Sequence, residues 1–271
     1  MMNDPDNDTI DEQATERQAS TVKSADRVLD IFELFAEEQD TLSLTDISRK
    51  LGMPTSSAYK LLQNLLNRGY LETDKSGKSF RLGFKLFEIG SKVSRNTDYA
   101  TEFQHVAQRI VNDINESVFL SIRNGDKVLY IAEKQSTHPV RFVSHLGMML
   151  PLHATAMGKM LLSGLSDDEV RCLYPDGELG KLTDSTLSSL DELLEQLALI
   201  RREGLSFSSG EAVQGIRCVA APITDASGQI VASMSVSIPV SRVEERAWDT
   251  AVQAVRQGAH ELSIKQVFHK S

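Results

Sequence analysis

Residues 44–71 read LTDISRKLGMPTSSAYKLLQNLLNRGYL, and the spacing within this stretch decides the fold. Ile47 and Leu51 stand four apart, Gly52 interrupts the run, and Ala58, Leu61, Leu62, Leu65 and Leu66 then recur at helical spacing up to Gly69. Two short helices hinged at Leu51-Gly52-Met53 make a helix-turn-helix. Ser43 or Thr45 is placed to cap the first helix. Pro54 suits the first position of the second, where its missing N–H would have no partner anyway. The second helix opens on Thr55, Ser56 and Ser57 before it buries leucines. A short, hydroxylated first turn can approach a major groove closely and bond phosphates or base edges. Thr55, Ser56, Ser57, Tyr59 and Lys60 are therefore expected to face DNA.

The flanks extend this motif. Upstream, Val28, Ile31, Phe32 and Phe35 mark a helix that Ser24 is placed to cap. Downstream, Tyr70-Leu71-Glu72 and Ser79-Phe80-Arg81-Leu82 flank a Gly-containing turn at 74–78, which reads as a hairpin. Helix, helix-turn-helix and a two-stranded wing follow in winged-helix order over 21–83, and Lys75, Lys78 and Arg81 would take the wing to the DNA backbone or minor groove. Net charge is −9 over 271 residues, but the excess is regional. Asp4, Asp6, Asp8, Asp11, Glu12 and Glu16 crowd a tail, 1–20, that lacks apolar periodicity and reads as disordered. Between Ser43 and Lys92, nine basic residues face four acidic ones, a local footprint a phosphate backbone can use.

Residues 84–115 read as linker helices, one around Phe84, Phe87 and Ile89, the other around Phe103, Val106, Ile110 and Ile114. The remainder, 116–271, reads as α+β. Strands are expected at 117–124, 127–134, 139–146, 215–224 and 229–240. Helices are expected at 154–163, 167–173 and 190–203, and a closing helix carries Val243, Ala247, Ala251, Val255 and Ala259. Hairpin-linked strands with packed helices indicate an antiparallel sheet of a ligand-sensing kind. No apolar run reaches the ~20 residues of a membrane span, the N-terminus lacks the pattern of a signal peptide, and two cysteines make no disulfide framework; a cytoplasmic setting is expected.

Three features of the second half bear on chemistry. In VASMSVSIP, Ser233, Ser235 and Ser237 alternate with Met234, Val236 and Ile238, which puts hydroxyls on one face of a strand and apolar groups on the other. On the strand before it, Ile216, Cys218 and Ala220 share a face. In 147–164, small residues surround a helix start whose exposed amides at Ala156 and Met157 would suit a carboxylate. His153 with Cys218 raises a Cys/His nucleophile, without an oxyanion or third-partner pattern to accompany it. His138, His145 and His153 lack a diagnostic metal spacing.

Taken together, VKSADRVLDIFELF, LSLTDISRKLGMPTSSAYKLLQNL, GYL and FRLG, then PLHATAMGKMLLS, IRREGLSFSSGEAVQGIRCVAAPI and GQIVASMSVSIP, resemble the IclR family of bacterial transcriptional regulators over nearly the whole ordered chain. The resemblance implies a winged helix, a linker helix and a GAF-like domain that binds a small effector. It also implies a palindromic DNA operator bound by a dimer or a dimer of dimers, no catalytic role and no cofactor. By position it carries over the amides of Ala156 and Met157, with Cys218, Ser235 and Ser237, as pocket residues. Ser208 and Glu211 fall on the rim, and Phe142, Leu150 and Ile216 supply apolar walls. Ser208 stands where some relatives hold an acid. The expected effector is an organic or aromatic acid. The alternatives are a multidrug-type sensor with a broad apolar cavity and a Cys/His small-molecule enzyme.

Overall fold

The structure is a computed structural model that describes residues 22–38, 41–95 and 99–269; the side chains of 91–95, 99–101 and 265–269 fall outside the description. The acidic tail read as disordered, 1–20, lies outside the described residues. The chain divides into two compact units, Met1–Arg95 and Asn96–Ser271. Of the stretch read as a linker, the first helix therefore falls in one unit and the second in the other.

The first unit runs α1 (Lys23–Glu37), β1 (Leu42–Ser43), α2 (Leu44–Lys50), α3 (Thr55–Asn67), β2 (Leu71–Thr73), β3 (Ser79–Leu82) and α4 (Phe84–Arg95). Its core holds Ile31, Phe35, Ile47, Ala58, Leu62 and Leu65 of the expected positions, with Leu34 added and Leu71 and Phe80 closing it from the wing, while Val28, Phe32, Leu51, Leu61 and Leu66 are only partly buried against it. Of the two candidates, Ser43 caps α2. Its hydroxyl accepts from the Asp46 amide while the Asp46 carboxylate accepts from the Ser43 amide, a reciprocal box that holds the Asp46 carboxyl below its ordinary range. Gly52 takes φ +59°, the left-handed turn that a side chain would strain. Two caps differ from expectation by one or two residues. Val22, not Ser24, precedes α1 and offers no side-chain cap. Pro54 is the N-cap of α3 rather than its first residue, because its ψ of 133° is extended and its carbonyl accepts from Ser57 and Ala58. The wing also has a third strand, since β1 pairs with β3 through Leu42 and Phe80.

The second unit runs α5 (Tyr99–Ile114), β4 (Ser117–Asn124), β5 (Lys127–Lys134), β6 (Met149–Pro151), a 3-10 turn (Leu152–Ala154), α6 (Ala156–Ser163), α7 (Asp167–Leu173), α8 (Leu190–Glu203), β7 (Ser206–Ser209), β8 (Ile216–Thr224), β9 (Ile230–Pro239) and α9 (Glu245–His269). Six antiparallel strands in the order β6-β5-β4-β9-β8-β7 form one sheet with helices on both faces. Val118, Leu120, Met234, Val236 and Ile238 face α5 and α9; Phe119, Val128, Tyr130 and Ala220 face α6 and α8. A bulge in the β4–β5 register, where Leu120 pairs with Ala132 but Ser121 with Tyr130, turns Tyr130 to the α6 side. The apolar stripe of α9 is Trp248, Ala251, Val255, Ala259 and Leu262; Ala247 is exposed and Val243 precedes the helix.

One expected strand is absent. Residues 139–146 form no ladder, and the third strand of this region is β6, which pairs Leu150 with Val128. Phe142 and Ser144 of that stretch turn inward, Ser144 bonding to Glu133, while Val140, Val143 and Leu146 are exposed. The bonding edge of β5 is already occupied, because Tyr130 exchanges hydrogen bonds with Met148 and Gly147. Apolar alternation without an open strand edge makes no strand.

Candidate functional site

At the first unit's surface, α3 presents its N-terminal turn. Thr55, Ser56, Tyr59 and Lys60 are exposed, Ser57 is half-buried and Ala58 is buried against the core, so the helix shows one face outward from its first residue. Ser48 of α2 donates to the Met53 carbonyl at 2.6 Å and lies 3.2 Å from the Thr55 hydroxyl, which ties the two helices across the turn. Pro54 supplies no side-chain cap, so the first amides of α3 carry the partial positive charge of an uncapped helix start. On the wing, Lys75 and Lys78 are exposed at the turn that Asp74 organises through the amides of Lys78 and Ser79. Arg81 differs from them. Its guanidinium is held by Glu72 at 2.9 and 3.2 Å, which offsets its charge before any partner arrives.

In the second unit a cavity opens between the α6 start and the sheet. All ten residues carried over as the effector site, Phe142, Leu150, Ala156, Met157, Ser208, Glu211, Ile216, Cys218, Ser235 and Ser237, line it. The strand register explains why: Cys218 lies opposite Ser237 and Ser208, and Ala220 opposite Ser235, so thiol and hydroxyls share the α6 face. The Cys218 sulfur lies 3.1 Å from the Ser237 hydroxyl. Burial pushes the Cys218 thiol up, which keeps it protonated and poorly nucleophilic. The space around these side chains, open solvent at the mouth included, is about 400 Å³, of which about 30 Å³ is open to the centres of water molecules. That is room for about two waters at ~10–15 Å³ each.

The helix start is built by sequence. Thr155 caps α6, its hydroxyl accepting from the Gly158 amide at 2.9 Å, and this leaves the amides of Ala156 and Met157 outside the helical ladder. Gly158 permits the approach of the 3-10 turn below: a Cβ there would meet the Leu152 carbonyl oxygen at 2.2 Å. The helix begins at Ala156 rather than 154 because Leu152–Ala154 takes this tighter turn.

Sequence reasoning missed several cavity residues and one buried pair. Tyr130, Thr155, Ala212 and Val213 also line the cavity. Glu211 is not a rim residue; it is 9% exposed and both its oxygens accept from the fully buried Lys159 ammonium, at 2.9 and 2.7 Å. The third lysine donor goes to Gln196 at 2.7 Å. Burial pushes Lys159 below an ordinary lysine while the Glu211 carboxylate opposes the shift. The available signal was a single lysine in an otherwise apolar helix, AMGKMLLS, every residue of which is buried.

His153 and Cys218 are separately engaged. His153 donates through Nε2 to the Gly180 carbonyl at 2.9 Å and stands edge-on to Tyr174. His138 lies 3.3 Å from the Asn115 amide. Among the described residues, no group of three or more His, Cys, Asp or Glu side chains is arranged to hold a metal ion.

A winged helix joined in one chain to a sheet domain, whose mainly apolar cavity is dotted with hydroxyls and a thiol, is the arrangement of a DNA-binding transcriptional regulator with a ligand-binding domain. Comparison with known proteins agrees. Residues 24–75 match the IclR helix-turn-helix domain and residues 91–264 the bacterial transcriptional regulator IclR C-terminal domain. The regulator KdgR of Dickeya chrysanthemi is 30% identical over 94% of this chain and 83% of its own length. XynR of Escherichia coli is 31% identical over 89% and 96%. The crystal structure of Thermotoga maritima IclR superposes with a TM-score of 0.75 at 27% identity, covering 90% of this chain and 98% of that one. The chain belongs to the IclR family. Its relatives are named transcriptional regulators, not enzymes. Among the described residues no helix is long and apolar enough to cross a membrane.

Proposed function

We propose that this regulator senses a small organic acid, bound with its carboxylate on the amides of Ala156 and Met157, and that occupancy sets its affinity for a palindromic operator. The observation that carries this reading is the convergence of two open helix-start amides with Cys218, Ser235 and Ser237 in one cavity. Amides at a helix start favour an anion, and hydroxyls and a thiol take up the remaining polar groups of a compact ligand. The small free volume supports a dedicated metabolite sensor over a broad apolar cavity. Phe142, Leu150 and Ile216 provide apolar walls, and Ser208 and Glu211 complete the lining.

On the DNA side, Thr55, Ser56, Ser57, Tyr59 and Lys60 enter the major groove while Lys75 and Lys78 contact phosphates; Arg81 contributes less because Glu72 already holds it. A palindromic site requires a two-fold protein. Phe84 and Phe87, 79% and 75% exposed on α4, are the apolar surface that supports pairing with a second copy. The protein works in the cytoplasm, as dimer or dimer of dimers. An effector changes DNA affinity only by the difference in its own affinity for the two arrangements, commonly about 1–3 kcal/mol. The test is the Ser235→Ala, Ser237→Ala double variant, followed by operator binding with and without acid. Retained DNA binding with lost response is expected; a full response would remove these serines from the site.

A further inference from the structure

The cavity that would receive an acid already holds one. Glu211 is the carboxylate among its lining residues, and a second carboxylate in a small, poorly hydrated space would be repelled by it. What balances Glu211 is Lys159, one turn past the open amides of α6, with all three N–H donors taken by Glu211 and Gln196. The pair is a costly way to hold a fold: a buried ion pair can often be replaced by apolar groups without loss of stability. Both charges are felt inside the cavity, since at the Cys218 thiol Glu211 acts to raise the pKa and Lys159 to lower it.

We infer that Lys159 is the specificity-determining residue of the cavity: by holding and neutralising Glu211 it lets a carboxylate bind beside a wall that itself carries one. This deepens the acid-sensing reading and rests on it. The pair keeps the lining neutral, so the amides of Ala156 and Met157 decide the sign of the ligand. Removing Glu211 alone takes away the wall's own carboxylate, removing Lys159 alone leaves that carboxylate without its balancing partner, and removing both gives a lining with neither group.

The experiment is calorimetric titration of the full chain and of Glu211→Gln, Lys159→Met and the double variant at one neutral pH. The probes are three acids with their uncharged amides: acetate and acetamide, pyruvate and pyruvamide, benzoate and benzamide. For an acid that the wild type binds, Glu211→Gln should bind it at least about tenfold more tightly and Lys159→Met at least about tenfold more weakly. The matching amide should shift by less than about threefold, and the double variant should return to near the wild-type acid-to-amide ratio. If every folded variant keeps the wild-type ratio, the pair is structural and the inference fails while acid sensing stands. If the wild type binds none of the acids better than its amide, acid sensing and the inference fall together. Should Lys159→Met not fold, Glu211→Gln and the double variant still decide.

Discussion

Replacing Gly158 by alanine should damage the second unit even though the substitution improves helix propensity. Alanine in a helix interior is favoured over glycine by about 1 kcal/mol. Against that, the new Cβ would lie 2.2 Å from the Leu152 oxygen, 2.5 Å from its Cα and 2.7 Å from its carbonyl carbon. These are backbone atoms of a buried turn, so no side chain can swing aside, and the turn must retreat by more than 1 Å. Overpacking of this kind costs about 1–3 kcal/mol or more, and a clash with three backbone atoms of one buried residue belongs at or above the upper end. The net loss is then about 2 kcal/mol. For a unit spanning Asn96–Ser271 that corresponds to a fall in Tm of about 4–8 °C. Trp248, the single tryptophan of the chain, is buried in this unit and lies under the Arg217 guanidinium at 3.9 Å, so its fluorescence reports the transition directly. Retreat of the turn also displaces the amides of Ala156 and Met157, and acid binding should weaken further than stability alone explains. A variant that melts at or above the wild type would refute the close approach.

Other outcomes follow from the same geometry. Arg242→Ala should cost about 2–3 kcal/mol by chemical denaturation, because Glu116 loses two 2.8 Å hydrogen bonds and is left buried, and the Val140 carbonyl loses its donor at 2.7 Å. Iodoacetamide near pH 8 should alkylate exposed Cys172 well before Cys218. Burial raises the Cys218 pKa, so its thiolate fraction stays low until the pH climbs further; equal rates at the two sites, read by peptide mass spectrometry, would contradict a half-buried thiol of raised pKa. Lys75→Ala and Lys78→Ala together should reduce the slope of log K against log salt for operator binding by about two for each DNA-bound protomer, whereas Arg81→Ala should change it by less than one per protomer.

Local signals carried most of the fold. The helix-turn-helix was legible because its core positions and turn lie within one stretch of 28 residues, and β4 and β5 because alternating strands flank a tight turn. The errors have physical causes. Residues 139–146 have strand-like composition, but strand formation depends on an open edge elsewhere in the chain. The short strand β7 went unseen because its pattern is inverted: Ser206 and Ser208 point inward and Phe207 is exposed. The serine stripe of β9 gave its own alternation, yet only pairing with β8 and β4 shows that its hydroxyls face α6. Lys159 and Glu211 stand 52 residues apart in different elements, so their bond was invisible to any local pattern even though each residue lay in a quoted segment.

A small acid in the α6 cavity is expected to control DNA binding by α3 and the wing. Fluorescence anisotropy with the DNA upstream of the protein's own gene tests it most directly, across a salt series and with a panel of carboxylic and aromatic acids. Specific binding that weakens steeply with salt and that at least one acid changes five-fold or more is the predicted result. Specific binding that no acid alters, together with no acid bound in the cavity, would contradict it.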